Sequence, residues 1–365
     1  MLSRSAWRSG ARLRKRRPET STVGPPARSR PTLEAVATVA GVSRATVSRV
    51  INGDHRVRAD AAASVRAAID QLGYVPNQAA RSLVTRRTDA VAVVVAEPQE
   101  RVFIDPFFGT IFRGVGKALA EHGLQFVLLL LEGTTDRDSV VRYLAGGHVD
   151  GALIFSLKSD DALPAAVTGL DLPAVFSGRP DWPRHQAGDD VLFVNADNRG
   201  GGATAARHLQ SLGRSKIATI TGPMDQAASV DRLLGFRDEL PHLADSLIVE
   251  ADFSRHGAAR AMHLLLERHP DLDAVFVASD LMAAAALDVL REQGRRVPDD
   301  VAVVGFDGIA AVAERTSPPL TTIHQDIEKM GRLMVDLLTQ AITGPGEPRP
   351  ESITIPTRLV RRLSA

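Results

Sequence analysis

Cysteine is missing from the whole 365-residue chain. That excludes a disulfide framework, a thiolate metal site and a cysteine nucleophile. Apolar runs are short: Phe126 to Leu131 is six residues, against the roughly 18 that a membrane-crossing helix needs. The first thirty residues contain no apolar core of a secretory signal, so no membrane contact is expected. Catalytic signatures are missing too. Gly116-Lys117 is followed by Ala118 and lacks the upstream glycine of a phosphate loop. Gly200-Gly201-Gly202 is no dinucleotide fingerprint, and His263 with Glu267 lacks the second histidine of a zinc helix. There is no Gly-x-Ser-x-Gly elbow, and the ten histidines are scattered without ligand spacing. These absences argue against an enzyme, and no cofactor or metal is expected.

What is present is the balance of a soluble globular protein, 44% hydrophobic and 24% charged, at a length that suggests two or three domains. The formal net charge of +1 hides an asymmetry. Residues 1–88 carry 17 Lys/Arg against 5 Asp/Glu, whereas the rest carries 27 against 38. A basic head on an acidic body implies that only the head meets a polyanion.

Residues 1–31 hold nine Lys/Arg, one acidic residue and four prolines with almost no apolar periodicity, which reads as a disordered basic extension. Residues 32–75 change character. Leu33, Val36, Ala37 and Ala40 recur at helical spacing, with Thr32 where an N-cap belongs. Gly41-Val42-Ser43 breaks the pattern, and Val47, Val50 and Ile51 restart it with Ser43 as the new cap. Asn52-Gly53-Asp54 is a stop signal, and Val65, Ile69 and Leu72 form a third set closed by Gly73. Two short helices joined by a tight glycine-containing turn are the helix-turn-helix signature. A plain three-helix bundle does not explain Arg44, Ala45, Ser48 and Arg49 on the outward face of the second helix, so double-stranded DNA is the expected partner. Arg44 and Ala45 open that helix, the end that points at base edges. Arg44 suits a fork onto guanine, and Ser43, Thr46 and Ser48 suit phosphates.

Residues 76–88 form a linker that is not Gly/Ser-rich. Pro76-Asn77 can start a helix, but about two turns are too few for stability alone, which suggests a segment that folds on docking. From Asp89 onward, strand-like runs alternate with amphipathic stretches. The runs are Ala90–Val95, Gln125–Leu131, Gly151–Phe155, Pro173–Phe176, Val191–Val194, Ile217–Thr221, Leu247–Glu250, Ala274–Ala278 and Val301–Phe306. This pattern means parallel sheets built of βαβ units. Residues 89–365 are too many for one sheet, so two α/β subdomains are expected, with a ligand at the carboxyl ends of their strands.

The run Thr32-Leu-Glu-Ala-Val-Ala, followed by Ala40-Gly-Val-Ser-Arg-Ala-Thr-Val-Ser-Arg-Val-Ile-Asn-Gly53, resembles the head of the lactose/galactose-repressor family. Leu72-Gly-Tyr-Val-Pro-Asn-Gln-Ala-Ala-Arg-Ser-Leu83 resembles its hinge helix. Asp197-Asn-Arg-Gly-Gly-Gly, Arg232-Leu-Leu-Gly-Phe236, Val277-Ala-Ser-Asp280, Val304-Gly-Phe-Asp307 and Pro319-Leu-Thr-Thr-Ile-His-Gln325 follow in family order. The resemblance spans Pro31 to about Arg362. It implies a three-helix head and hinge helix, then a two-subdomain α/β body like a type I periplasmic binding protein. It also implies a cytoplasmic homodimer that represses transcription at a palindromic operator. A small-molecule effector between the subdomains would order or melt the hinge helices. The chain's end at Leu363-Ser364-Ala365 has no heptad segment, so a dimer is expected rather than a coiled-coil tetramer.

By the same resemblance Arg49 is a base-reading arginine, Asn52 matches the head motif, Tyr74 and Asn77 fall in the hinge motif, and Leu83 is a minor-groove wedge. Arg49 also suits a phosphate clamp, and Asn52 a helix stop. The family often has an acidic residue at Ala35, Ser or Thr near Arg58 and a Thr-Arg pair near Ala61-Ala62. These departures remove a cap of the third helix and one or two phosphate contacts.

A sugar or sugar phosphate is the expected effector, recognised by groups that grip paired hydroxyls and by a flat apolar face. Arg232, Asp280 and Asp307 suit the hydroxyls, and Phe253 falls where the family commonly stacks a ring. Asp105, Phe107 and Phe108 can form a wall, with Arg179 and Gln325 as further candidates. Asp280 equally suits a helix cap, and Phe107 and Phe108 a core or dimer interface. Two alternatives stand: a purine or phosphorylated co-repressor that strengthens DNA binding, and a solute-binding protein of transport.

Overall fold

The computed structural model describes residues 31–51, 54, 56–75, 87–132, 134–155, 158–159, 161–179, 191–344 and 350–365. Asn52, Asn77 and Leu83 lie outside the described residues, as do residues 1–30 and nearly all of the linker. Contacts divide the chain into two compact units, residues 1–81 and 82–365.

Among its described residues the first unit holds three helices, α1 (Leu33–Ala40), α2 (Arg44–Ile51) and α3 (Ala59–Leu72). Thr32 caps α1 by accepting from the Ala35 amide at 3.2 Å, and Gly41 ends it at φ +66°. That left-handed backbone favours glycine. Ser43 Oγ accepts from the Thr46 amide at 3.2 Å and so caps α2. Arg58 stands before α3 and contributes no side-chain cap, as the loss of Ser or Thr there implied. Val36, Ala37, Val47, Val65, Ala68 and Tyr74 form the buried core.

The second unit contains two six-stranded sheets. The first sheet has the order β11 (Ile353–Ile355), β5 (Leu192–Ala196), β4 (Ala174–Ser177), β3 (Gly151–Phe155), β1 (Ala90–Val95), β2 (Gln125–Leu130). The second has the order β12 (Arg358–Val360), β10 (Thr321–His324), β9 (Ala302–Asp307), β8 (Ala274–Val277), β6 (Ile217–Thr221), β7 (Ile248–Glu250). Every pairing is parallel except β10 with β12. β1, β3, β6, β8 and β9 are buried along their whole length, and β1, β3 and β8 are accordingly apolar throughout rather than alternating.

Among the described residues, ten further helices accompany the sheets. Around the first sheet lie α4 (Gln99–Ile104), α5 (Pro106–Glu121), α6 (Thr134–Ala145) and α7 (Leu163–Thr168). Around the second lie α8 (Asn198–Ser211), α9 (Ala227–Glu239), α10 (Arg255–Arg268), α11 (Asp280–Glu292) and the short α12 (Ala310–Ala313). The last, α13 (Ile327–Thr343), returns to the first subdomain and packs on α5 and on β3 to β5. The chain therefore crosses between subdomains three times: after β5, after β10 and after β11. Two crossings are tied together, since the Asp197 amide donates to the Ile355 carbonyl at 2.9 Å and Thr357 Oγ1 donates to the Asp197 carbonyl at 3.3 Å. Among the described residues no helix is long and apolar enough to cross a membrane.

Candidate functional site

The head carries the DNA-facing candidates. Ser43, Arg44, Ala45 and Arg49 are exposed on α2, while Thr46 and Ser48 are half-buried. Val47 is fully buried on the opposite side, so packing fixes which face α2 turns outward. Arg44 Nη1 rests 3.1 Å from Glu34 Oε1 of α1, with both groups exposed. A pair of this kind contributes little to stability, but it holds the guanidinium beside the outward face. The hydroxyls of Ser43 and Thr46 lie 2.9 Å apart. Tyr74 departs from its expected place. It is only 8% exposed and packs with Val36 and Val65, so its ring belongs to the core of the head.

The body carries a cavity of about 120 Å³ between the two subdomains. Of the nine effector candidates, eight line it: Asp105, Phe107, Phe108, Arg179, Arg232, Phe253, Asp307 and Gln325. Each arrives by a definite local route. Asp105 caps α5, accepting from the Phe107 amide at 3.0 Å. Burial raises its carboxyl pKa against the pull of that amide and of Arg101. Phe107 and Phe108 follow at the start of α5, and Phe108 is also a core residue at 1% exposure. Arg232 projects from α9 and is 6% exposed. Its Nε donates to Asn198 Oδ1 at 2.9 Å, Nη1 donates to the Ala278 carbonyl at 2.5 Å, and the guanidinium lies 3.7 Å from the Phe306 ring centroid.

Asp307 ends β9 in a left-handed backbone, φ +107°, which is strained for a residue with a Cβ. Gln325 Nε2 donates to Asp307 Oδ1 at 2.8 Å, so Gln325 orients the carboxylate. Burial pushes the Asp307 pKa up to about 7, opposed by Arg232 and reinforced by Asp105. Phe253 is the second strained residue, at φ +59°. Its ring lies against Gly222, where a Cβ would come within 2.2 Å of the ring tip, and the Arg101 guanidinium sits 4.6 Å from its centroid. Two backbone outliers in one cleft mark a place where local strain is held by surrounding structure for a purpose.

Asp280 does not join this wall. It is fully buried beneath the cleft, taking the Thr322 hydroxyl on Oδ1 at 2.6 Å and the Ile309 amide on Oδ2 at 2.8 Å. Its pKa is raised well above the ordinary value by burial and by the nearby Asp307 charge. The residue that reaches the cavity is its predecessor Ser279, which caps α11 by accepting from the Met282 amide. Asp197 is likewise a cap, for α8, accepting from the Gly200 amide at 2.9 Å.

Sequence reasoning missed several lining groups: Arg101, Lys158, Ser177, Asn195, Asn198 and Gln226. Asn198 directly follows the Asp197 cap, and Asn195 is the penultimate residue of β5, so the rule that ligands meet strand ends would have found both. Facing groups from the two subdomains already touch. Lys158 Nζ lies 2.9 Å from Asp225 Oδ2, the Ser159 amide donates to the Asp225 carbonyl at 2.7 Å, and Arg179 Nη2 lies 3.3 Å from Asp231 Oδ1.

A helix-turn-helix head followed by a body of two parallel-sheet lobes around a polar cleft defines a ligand-responsive DNA-binding regulator. The pattern for "Bacterial regulatory proteins, lacI family" matches residues 32–77, and that for a "Periplasmic binding protein-like domain" matches residues 206–365. The HTH-type transcriptional regulator CelR of Thermobifida fusca is 48% identical over 342 residues, spanning 92% of this chain and 99% of its own. Among solved structures, a transcriptional regulator CelR–cellobiose complex superimposes with a TM-score of 0.72 at 46% identity, covering 92% of this chain and 100% of that one. The lac repressor dimer bound to operator and the anti-inducer ONPF superimposes with a TM-score of 0.78 at 28% identity, covering 92% and 99%. The chain belongs to the lacI family of bacterial regulatory proteins.

Proposed function

We propose that this protein is a homodimeric transcriptional repressor that binds a palindromic operator in the cytoplasm and leaves it when a neutral sugar fills the cleft. It catalyses no reaction; its output is a change in DNA affinity. Residues 32–75 form the DNA-reading head, residues 76–88 the hinge, and residues 89–365 the effector and dimerisation body. Arg44 and Arg49 read bases, Ser43, Thr46 and Ser48 meet phosphates, and Leu83 wedges the minor groove.

The observation that carries the sugar reading is the grouping of Arg232, Asp307 and Phe253 in one cavity walled by both subdomains. A guanidinium and a carboxylate grip vicinal hydroxyls, and an aromatic face covers the C–H side of a pyranose ring. The complex of CelR with cellobiose, at 46% identity over nearly the same length, makes a β-linked glucose disaccharide the first candidate. The lac repressor relative is bound to its operator as a dimer, which supports a dimer here.

The test is a titration of the full chain against the upstream region of its own gene at fixed salt, because phosphate contacts make affinity steeply salt-dependent. It is repeated with cellobiose, glucose, ribose and a purine. Weakened binding with a sugar is expected. Strengthened binding with the purine would replace induction by co-repression.

A further inference from the structure

The cleft does not end at the inner cavity. A second chamber of about 970 Å³ opens at the carboxyl ends of β1, β2, β6 and β7, on the side away from the three crossing segments. Five residues line both chambers: Arg101, Asp105, Lys158, Gln226 and Phe253. A single layer of side chains therefore separates them.

The centre of that layer is Arg101. Its Nη1 lies 2.6 Å from Glu97 Oε1, which also accepts from Gln226 Nε2 of the opposite subdomain at 2.8 Å. Its guanidinium covers Phe253, yet its Nε–H is buried without an acceptor among the described residues. This arginine is therefore tied at Nη1 and over its planar face but not at Nε. It is also long and flexible, as are Lys158 and Gln226, so the partition can be moved without moving the backbone.

The sizes matter. Small-molecule pockets run from about 300 to 1,000 Å³. The inner chamber, at about 120 Å³, is below that range and has room for one sugar ring at most. The outer chamber reaches the top of it. Its chemistry also suits a neutral polyol. Glu100, Glu132 and Asp252 supply carboxylate acceptors, and Ile104 and Leu281 supply apolar surface. Six carboxylates line it, Glu97, Glu100, Asp105, Glu132, Asp161 and Asp252, against the four cations Arg101, Arg137, Lys158 and Arg255, a surplus that disfavours a phosphorylated ligand.

We propose that the outer chamber is a second carbohydrate subsite, and that the effector is a neutral sugar chain that passes Arg101 with one ring in the inner chamber and the others outside. This inference rests on the sugar reading of the inner cavity.

The test is calorimetric titration of the full chain with glucose and with β-1,4-linked glucose chains of two, three and four units. The same series is run on Ile104→Trp. Ile104 is 57% exposed, so the larger ring reshapes the wall of the outer chamber without disturbing a core. Affinity is expected to rise about tenfold from one unit to two and by a further factor of about five for longer chains. Because every unit after the first sits in the outer chamber, Ile104→Trp should change both rises and leave glucose affinity within about twofold of wild type. Affinity that stops rising after the inner ring is filled, or an Ile104→Trp series that overlays the wild type, overturns the subsite. If no sugar of any length binds, the reading of the inner cavity fails first, and that outcome is distinct from the other two.

Discussion

Arg232 Nη2 and Asp307 Oδ1 face each other at 3.8 Å in the cleft, and both side chains are more than nine-tenths buried. The gap is too long for a direct hydrogen bond. The two charges are close enough to stabilise each other, yet each keeps hydrogen-bonding capacity for a third party. Asp307→Asn keeps the shape and removes the charge. It is expected to weaken effector binding by about 2 kcal/mol, roughly thirtyfold, while operator affinity without effector is unchanged. The free carboxyl titrates at about pH 7, and hydroxyl donors favour its ionised form. Wild-type effector affinity should therefore rise from pH 6 to pH 8, and the Asn variant should lose that rise. A normal response at ordinary ligand concentration would place Asp307 outside the binding contacts.

The position of Arg232 depends on a glycine in another helix. A Cβ on Gly202 of α8 would lie 2.1 Å from the Arg232 carbonyl oxygen, and a Cβ on Gly235 of α9 would lie 1.8 Å from the Arg199 carbonyl oxygen. The two helices cross with backbones in contact, so Gly202→Ala must push α9 outward. Overpacking of this kind costs about 1–3 kcal/mol. The expected result is a lower unfolding midpoint together with weaker effector affinity, read by calorimetry and titration. A loss of stability with normal effector affinity would show that α9 shifts without carrying the guanidinium away.

Much of this arrangement was legible in the sequence. Nine strand-like runs correspond to β1 through β9; the clearest are β1, β3 and β8, which are buried on both faces and written as continuous apolar residues. β10 to β12 were not read. Thr321-Thr322-Ile323-His324 has three polar residues of four, and its threonines are fully buried by bonding inward, Thr322 to Asp280 and Thr321 to the Ala365 carbonyl. β11 and β12 are three residues each, too short for any period to show. The exchange of Asp280 for Ser279 has a similar cause. Successive residues at a helix start point in different directions, and only the fold tells which one meets the cavity. The burial of the Tyr74 ring in the head was not legible, because the hinge motif says nothing about the core of the head.

Asp280 separates a structural carboxylate from a binding one. Its two oxygens hold the Ile309 amide and the Thr322 hydroxyl, and Gly305 leaves the room, since a Cβ there would lie 2.5 Å from Oδ1. Asp280→Ala orphans both donors and opens a small cavity. The variant should lose about 2–3 kcal/mol of stability in denaturant unfolding. Effector affinity, measured below the unfolding transition, should fall much less than in Asp307→Asn. The opposite ranking would return Asp280 to the effector contacts.

The buried carboxyls also set a pH dependence of stability. Burial raises Asp280 and Asp307 above their ordinary values. The folded state therefore holds protons that the unfolded chain has released, and the resulting stabilisation is greatest at acid pH. It is lost as pH rises from about 4, the unfolded value, through about 7, the folded value of Asp307. In Asp307→Asn this part of the slope should flatten, as measured by unfolding midpoints across pH 5 to 8 at constant salt. An unchanged slope would mean that other groups control it.

On the DNA face, Arg44 and Arg49 are five residues apart on one short helix, and Ala45 beside them leaves the backbone free to approach the groove. Arg44 is held by Glu34 at 3.1 Å, a surface pair that DNA can replace at small cost. A base-reading arginine and a phosphate clamp differ in what their loss does. Arg44→Ala should cost about 1–3 kcal/mol of operator affinity and relax the preference at one base pair of each half-site. Its non-specific binding and salt slope should barely move. If Arg49 also reads a base, Arg49→Ala behaves alike at another base pair. If it clamps a phosphate, affinity falls evenly across sequences, and the slope of log affinity against log salt drops by about one contact per head. Measuring both variants against the operator and a scrambled duplex at two or more salt concentrations decides the role of each arginine. A salt-slope loss without a change of base preference in Arg44→Ala would remove its assignment as a base reader.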